Sequence, residues 1–152
     1  MDAPTDLTAA AATPDVVRFD TKIAVVVRDD LPVWQKLNVT AFLMSGLTAQ
    51  HPDILGEPYV DAEGHVYNRL CGQPIICMVA DADTLRAIHR RAIERGVTTS
   101  AYTEAMFATG HDAANRAVFR TSAPADAAIV GIALRETRKR VDKITDGARM
   151  HP

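Results

Sequence analysis

The feature that most constrains this chain is a strand, an acidic turn and a helix within the 26 residues from Lys22 to Leu47. Ile23 to Val27 is an apolar run without alternation, which is typical of a strand covered on both faces. Asp29 and Asp30 end the run, and Pro32 fits the first turn of a helix because proline has no amide hydrogen to satisfy. The pattern predicts a central strand, then a helix with Asp30 as its N-cap.

The predicted helix is apolar on more than one side. One stripe of it carries Val33, Leu37, Ala41 and Met44. Further apolar residues fall largely outside that stripe, namely Val39, Phe42, Leu43 and Leu47. Such a helix needs two partners, because an exposed apolar face favours aggregation. One partner is the sheet. For the other we expect a second copy of the chain, in a homodimer through the helix Val33–Leu47; the alternative is that a hairpin further along folds over the helix.

Length and composition indicate one domain of ordinary polarity. The chain has 152 residues, of which 47% are hydrophobic, and a formal net charge of −2. One core of normal size is expected from these values. The small net charge gives no general basic field, so nucleic acid is not an expected partner and any RNA contact would have to be local.

We expect residues 1–18 to form a flexible leader, residues 19–145 a single α/β domain, and residues 146–152 a C-terminal tail. The leader is rich in Ala, Thr, Pro and Asp and has no periodic apolar pattern. The chain has no apolar run long enough to cross a membrane, and its N-terminus lacks the features of a secretory signal. The sequence therefore predicts a cytoplasmic protein without membrane contact, with Cys71 and Cys77 reduced and Cys77 in the core.

The rest of the chain alternates strands and helices. Tyr59-Val60 and Val66-Tyr67 flank a loop with a glycine and predict a short hairpin. The later segments are predicted as strand Ile75–Ala80, a helix from Asp81 or Asp83 to Gly96, edge strand Val97–Phe107, helix Asp112–Thr121, strand Ala127–Leu134 and a terminal charged helix or turn over Glu136–Ile144. This order predicts an α/β fold, a three-layer sandwich in which a mixed, mainly parallel sheet of about four strands has helices on both faces.

The segment Lys22–Leu31, Lys-Ile-Ala-Val-Val-Val-Arg-Asp-Asp-Leu, resembles the first strand and the Arg-x-Asp-Leu turn of type II peptidyl-tRNA hydrolases. The chain is more similar to an uncharacterised bacterial family of small proteins that share the hydrolase fold. The marks of that family are Thr-Glu-Ala-Met-Phe-Ala-Thr-Gly-His-Asp at 103–112 with Asn115, and Arg-Lys-x-Val-Asp-Lys at 138–143. The resemblance spans Lys22 to Leu134 and implies the type II peptidyl-tRNA hydrolase fold.

This resemblance implies the fold more strongly than the activity. The hydrolases follow the turn with a segment rich in glycine and lysine, and then with a helix that carries Gln and His. This chain has Pro32–Leu37 and the mostly apolar Asn38–Met44 in those places. Only Lys36 stands near the basic segment of the hydrolases, and a fold alone does not establish a reaction. We therefore do not expect the hydrolase activity to carry over.

Candidate site residues follow the ends of predicted strands. In open α/β sheets, ligands bind beyond the carboxyl ends of the strands. That rule selects Asp29 and Asp30 after the first strand and the segment Thr109–Asn115 after the edge strand. His111 is expected in the first turn of a helix, where the dipole disfavours the charged form and leaves a neutral imidazole that can act as base or donor. The alternative is that Asp112 and Asn115 only cap and decorate a helix end.

The sequence predicts a protein that binds a small, unidentified ligand at the strand carboxyl ends, with no cofactor and no metal. The predicted ligand-binding residues are Asp30, Trp34, Asp112 and Asn115. Trp34 can stack on a ring of the ligand, and packing in a core or an interface is the alternative explanation for it. A second hypothesis is hydrolysis of an ester or other acyl bond, with His111 or Asp29 as general base and Lys36 stabilising negative charge. A third is a homodimeric interaction module without catalysis.

Overall fold

The computed structural model describes residues 16–152. The strands are β1 (Thr21–Arg28), β2 (Tyr59–Val60), β3 (Val66–Tyr67), β4 (Ile75–Ala80), β5 (Ser100–Thr103), β6 (Ile129–Thr137) and β7 (Arg149–Met150). The helices are α1 (Val33–Gln50), α2 (Ala82–Glu94), α3 (Asp112–Phe119) and α4 (Arg138–Ile144), with 3₁₀ helices at Pro52–Ile54 and Glu104–Ala108. None of the helices in this part of the chain is both long and apolar enough to cross a membrane. Most of the predicted leader, residues 1–15, lies outside the described residues.

Strand β1 is the centre of a five-stranded sheet with the order β5-β6-β1-β4-β7. The residues Ile23–Val27 are at most 4% exposed, as the apolar run predicted. Only the pair β1–β4 is parallel, while β1–β6, β5–β6 and β4–β7 are antiparallel. The prediction of a mainly parallel sheet of about four strands is therefore wrong: the sheet is mixed and mostly antiparallel. The apolar run of β6 reflects burial on both faces, and burial does not encode the direction of a strand.

The two faces of the sheet are covered to different extents. Helices α2 and α4 pack on one face, and their buried side chains form a core with Ala24 and Val26 of β1. Helix α1 lies on the other face and packs mainly against β1, β5 and β6. Its approach is closest at Gly131 of β6, where a Cβ atom would overlap Val39 and come within 3.0 Å of Leu43 Cδ1. The absence of a side chain at this position therefore lets α1 sit close to the sheet.

Strand β4 is covered only in part. Cys77 pairs with Val25 on the α1 side of the sheet, yet Cys77 is exposed and Ile75 is 36% exposed. The prediction that Cys77 lies in the core is wrong, because α1 packs mainly over the neighbouring strands rather than over β4. The β2–β3 hairpin forms as predicted, with Gly64 at a φ of +91° in its loop. Its strand residues are exposed, so the alternative in which it covers α1 within one chain is not what the fold shows.

Of the two aspartates predicted to cap helices, one does so and the other does not. Asp81 caps α2 by accepting a hydrogen bond from the Thr84 amide at 2.7 Å, as predicted. The prediction that Asp30 caps α1 is wrong: its carboxylate accepts a hydrogen bond from Arg28 Nε at 2.5 Å. Pro32 itself occupies the N-cap position, and its carbonyl accepts the Lys36 amide at 3.1 Å. The helix therefore begins two residues later than an N-cap at Asp30 requires.

The C-terminal residues reach the edge of the sheet. Residues 146–152, expected as a tail, contain β7, in which Arg149 pairs with Val79 and Met150 with Met78 of β4. The His151 amide extends this ladder by donating to the Cys77 carbonyl at 3.1 Å. Since paired residues share a face of the sheet, Arg149 points to the α1 side.

Candidate functional site

A groove of about 570 Å³ lies between α1, β5, the 3₁₀ helix Glu104–Ala108 and α3. We call it the aromatic groove, after the five aromatic residues that line it: Trp34, Phe42, Tyr102, Phe107 and Phe119. Its volume is that of a small-molecule site, for which roughly 300–1,000 Å³ is usual. The groove also contains hydroxyl, amide, imidazole and guanidinium groups, so it offers both apolar area and hydrogen-bonding groups.

The rings of the aromatic groove form a connected wall. Trp34 meets Phe107 edge to face, with ring centroids 6.1 Å apart. Phe107 packs on Tyr102 at 5.2 Å, and Tyr102 packs on Phe42 at 5.8 Å. Each such pair contributes about 0.5–1.5 kcal/mol beyond its buried area. Tyr102 is buried, whereas Trp34 is 62% exposed and Phe42 is 52% exposed, so the wall is anchored in the core and open at its rim.

Helix α1 supplies the rim because its outward side is apolar. Trp34, Asn38 and Phe42 follow one another at four-residue spacing, which places them on one side of the helix. At the floor, Gly46 faces β5: a Cβ atom there would come within 2.8 Å of Ser100 Oγ. Gly46 therefore lets the Ser100 hydroxyl lie against the helix. Burial raises the pKa of the neighbouring Tyr102, which keeps its phenol protonated and able to donate a hydrogen bond.

His111 is the N-cap of α3. Its Nδ1 atom accepts a hydrogen bond from the Ala114 amide at 3.2 Å. In the neutral imidazole, an Nδ1 that accepts requires the proton to sit on Nε2, an assignment that follows from the hydrogen bond. Nε2 is therefore a donor in the groove, and Nδ1 cannot take up a proton without losing the cap. This arrangement favours a binding role for His111 over the role of general base.

The polar residues around His111 hold one another in place. The Thr109 hydroxyl contacts the Met106 carbonyl at 2.9 Å and also the side chain of Asn115. Asp112 pairs with Arg116 one turn further along α3. Neither Asp112 nor Asn115 caps α3, because His111 does; the two side chains are held by Arg116 and Thr109 instead.

The structure brings four of the seven predicted site residues to the aromatic groove: Trp34, His111, Asp112 and Asn115. The other three do not line it. Asp29 accepts from Arg149 Nη2 at 3.4 Å, and Asp30 pairs with Arg28. Lys36 Nζ lies 3.3 Å from His151 Nε2. Asp29 and Lys36 thus lie beside the C-terminal strand, and the constellation of His111, Lys36 and Asp29 is not assembled in one cavity.

Sequence reasoning missed several residues of the groove. Phe42 carries a signal, since it follows Trp34 by two turns on a helix that is apolar nearly all round. Tyr102 and Phe107 belong to the aromatic edge segment, but nothing local says that they face Trp34. The contact between Gly46 and Ser100 has no sequence signal, because it depends on how α1 crosses β5.

The comparison with protein families identifies the family of the chain. A family model described as "Protein of unknown function (DUF2000)" matches residues 21–152. The chain belongs to the DUF2000 family. The DUF2000 match thereby confirms the prediction of a family of unknown function, at the level of the family.

A solved structure is similar to this DUF2000 protein over almost all of its length. It is described as the structure of a protein of unknown function, Atu0240, from Agrobacterium tumefaciens strain C58. The two share 63% sequence identity and a TM-score of 0.88, and the match covers 89% of this chain and 100% of the other. No curated protein matches the chain. Because both descriptions state an unknown function, the resemblance to type II peptidyl-tRNA hydrolases stays a prediction.

Proposed function

We propose that this DUF2000 protein binds a small molecule with a flat aromatic ring in the aromatic groove. The observation that carries the proposal is the exposed indole of Trp34 at the open end of a wall of packed rings. An aromatic residue that is anchored by Phe107 and still open to solvent offers a face on which a second ring can stack. Such a face costs little to organise, because the side chain is already held in place.

The polar groups of the groove support a ligand whose ring carries a hydrogen-bond acceptor. His111 offers the Nε2–H group, and Ser100 and Arg116 offer further donors within the same lining. A few polar groups placed among apolar side chains are the usual means of fixing the orientation of a bound small molecule. The same geometry argues for binding rather than hydrolysis, since Asp29 and Lys36 do not line the groove with His111.

The protein carries its own reporter for this test, because Trp34 is its single tryptophan. We would titrate nicotinamide and adenosine as probes and follow the fluorescence of Trp34. We expect a saturable change with at least one probe. Phe42→Ala should weaken that binding by roughly threefold to tenfold, the equivalent of one lost ring contact.

The matched control is Ile93→Ala. Ile93 is 50% exposed, almost the same as Phe42 at 52%, but it lies on α2, outside the groove. It should leave probe binding unchanged. Equal loss in the two variants, or no saturable change with any probe, would count against the proposal.

We also propose that the chain self-associates through α1. The supporting observation is the outer stripe of that helix, where Val33 is 72% exposed and Leu37 is 68% exposed. Leu37→Glu should convert the associated species to monomer in sedimentation experiments, whereas Gln50→Glu, a charge change at an exposed position of the same helix, should not. Leu43 is unsuitable for this test because it is 2% exposed and its loss would report folding. A wild-type chain that sediments as a monomer at high concentration would refute the proposal.

A further inference from the structure

The β2–β3 hairpin has no cover among residues 16–152. We call residues 57–70 the arm. Tyr59 pairs with Tyr67 and Val60 with Val66 across its two strands. All four side chains are more than half exposed, although the two pairs point to opposite faces of the hairpin. Because a two-stranded hairpin is marginally stable in water by itself, an arm that is apolar on both faces needs another surface to pack against.

An uncovered apolar surface lies on the α1 side of β4. We call it the open face and define it by Ile75 and Cys77 of β4 with Val33 and Leu37 of α1. The register places Ile75 beside Ile23 and Cys77 beside Val25. Ile23 and Val25 are buried under α1, whereas their partners on β4 are exposed. The open face is therefore the continuation of the α1-side core beyond the edge of the helix.

Helix α1 borders the open face with its exposed stripe. Lys36 contacts His151, which follows β7, so this side of α1 is directed towards the β7 edge of the sheet. Val33 lies one turn before Lys36, and Leu37 lies one turn after Val33 on the outward stripe. The open face therefore has two apolar parts, one on α1 and one on β4, with the contact of Lys36 and His151 between them.

The arm and the open face together have the size of an interface. Their eight large exposed apolar residues are Val33, Leu37, Tyr59, Val60, Val66, Tyr67, Leu70 and Ile75. At these exposures each leaves on the order of 100 Å² in contact with water, given that a fully buried aromatic side chain covers roughly 150–250 Å². Because only one strand pair of the arm can face the partner, six of these residues contribute to one contact, on the order of 600 Å² per chain, which is the lower end of the roughly 600–1,000 Å² that each partner contributes to a stable interface.

The charges of the two surfaces are complementary. The arm carries Glu57, Asp61 and Glu63 against one arginine, Arg69, so its net charge is negative. The open face is bordered by Lys36 and by Arg149, and Arg149 already pairs with Asp29, so Lys36 carries the complementary charge. Opposite charges at the borders of apolar patches favour and orient association.

We propose that the arm of one chain packs on the open face of a second copy, in a two-fold dimer. Each chain then donates one arm and accepts one, so the contact is self-complementary and closes at two copies. The inference rests on the self-association proposed above and adds which elements meet. It makes the arm an ordered interface element, which explains why its apolar side chains find no partner among residues 16–152 of the same chain.

Cross-linking tests the contact directly, because Cys77 lies in the open face. In a Cys71→Ser background, Cys77 is the only remaining thiol. Val66→Cys and Tyr67→Cys each place a thiol on the arm, on opposite faces of it. With a short bis-maleimide reagent, we expect a covalent dimer from one of these two variants. Cys71→Ser alone and Ser122→Cys in that background, at an exposed position outside both surfaces, are the matched controls and should give none.

A charge exchange tests the orientation. Glu63→Lys should raise the Kd of the dimer by about tenfold, the effect of removing one favourable charge contact, and Lys36→Glu in the same chain should restore it. If the wild type is a monomer, self-association and the arm contact both fail. If Leu37→Glu dissociates a wild-type dimer while neither arm position cross-links and Glu63→Lys has no effect, self-association stands and the arm contact is overturned.

Discussion

The two faces of the central sheet differ in how completely the chain covers them. On the α2 and α4 side, Leu85, Ile88 and Ala92 are fully buried. On the α1 side, one helix covers three strands, and apolar side chains stay open at its rim and over β4. The first face has a closed core under its two helices and stays partly open over β4 and β7, at Ile76, Met78 and Met150. The second face has surfaces that a ligand or another copy can still cover, so the function proposed here lies on that side.

Truncation of apolar side chains should separate the two faces most clearly. Ile88→Ala on the closed face should lower the free energy of unfolding by about 2–5 kcal/mol, because it removes buried methyl groups and leaves a cavity. Leu37→Ala on the outer stripe should change it by less than about 0.5 kcal/mol. Chemical denaturation at low protein concentration measures both, so that association does not contribute. Similar losses in the two variants would show that the α1 side is as closed as the other.

A smaller loss of unfolding free energy than for Ile88→Ala is expected from a substitution at the contact between α1 and the sheet. Gly131→Ala adds a methyl group that would overlap Val39 and crowd Leu43. The helix has to move away from β6, and we expect a loss of about 1–3 kcal/mol. Gly110→Ala, at a glycine with open space around its Cβ position, is the control for adding a methyl group and should cost less. Because α1 carries the rim of the aromatic groove, Gly131→Ala should also weaken probe binding, and unchanged binding would show that the groove tolerates a shifted helix.

Removal of the N-cap of α2 should lower the thermal stability modestly and leave the aromatic groove unchanged. Asp81→Ala removes the acceptor of the Thr84 amide and should lower the Tm by on the order of a few degrees. Asp81→Asn keeps a good capping group and should lower it less. The backbone hydrogen bond from Thr84 also lowers the pKa of Asp81, so the stabilisation is present above its ordinary pKa and is lost as the pH falls through the lowered value. Probe binding in the groove should not change in either variant.

The smallest effect concerns His89, which is 8% exposed on α2 and whose Nδ1 has no hydrogen-bond partner among the described residues. Burial lowers its pKa below the ordinary value of 6.5, because the charged imidazole is disfavoured there. Below pH 6.5 the unfolded chain therefore binds more protons at this position than the folded chain, and stability falls as the pH is lowered. His89→Leu should reduce the loss of stability between pH 7.5 and pH 5.5, measured by denaturation. If the dependence of stability on pH is the same in His89→Leu as in the wild type, other groups cause that dependence.

Local sequence patterns correctly predicted the elements whose structure depends on the residues within them. The apolar run of β1 and the cap and stop of α2 at Asp81 and Gly96 are properties of short segments. The direction of β6 is not, because a run buried on both faces looks the same in either direction. The exposure of Cys77 also depends on a distant event, the position at which α1 crosses the sheet.

The same distinction holds for the candidate site. Trp34 and His111 lie at the starts of helices that follow strands. Ligands bind in such places in open α/β sheets, and both residues line the groove. Asp29 follows β1 equally closely, but its side chain turns to Arg149, which is remote in sequence. The contact of Gly46 with Ser100 likewise joins distant segments. The contacts that could not be predicted from the sequence are therefore those made by packing between distant elements.

The short strand β7 has a consequence for how copies of the chain can meet. It occupies the middle of the outer edge of β4, through Met78 and Val79, and the His151 amide takes up the Cys77 carbonyl next to it. Backbone groups that would otherwise serve as a template for another strand are thereby used within the chain. Addition of a strand from another copy is therefore hindered along this edge of β4. At this edge, contact between chains is left to side chains.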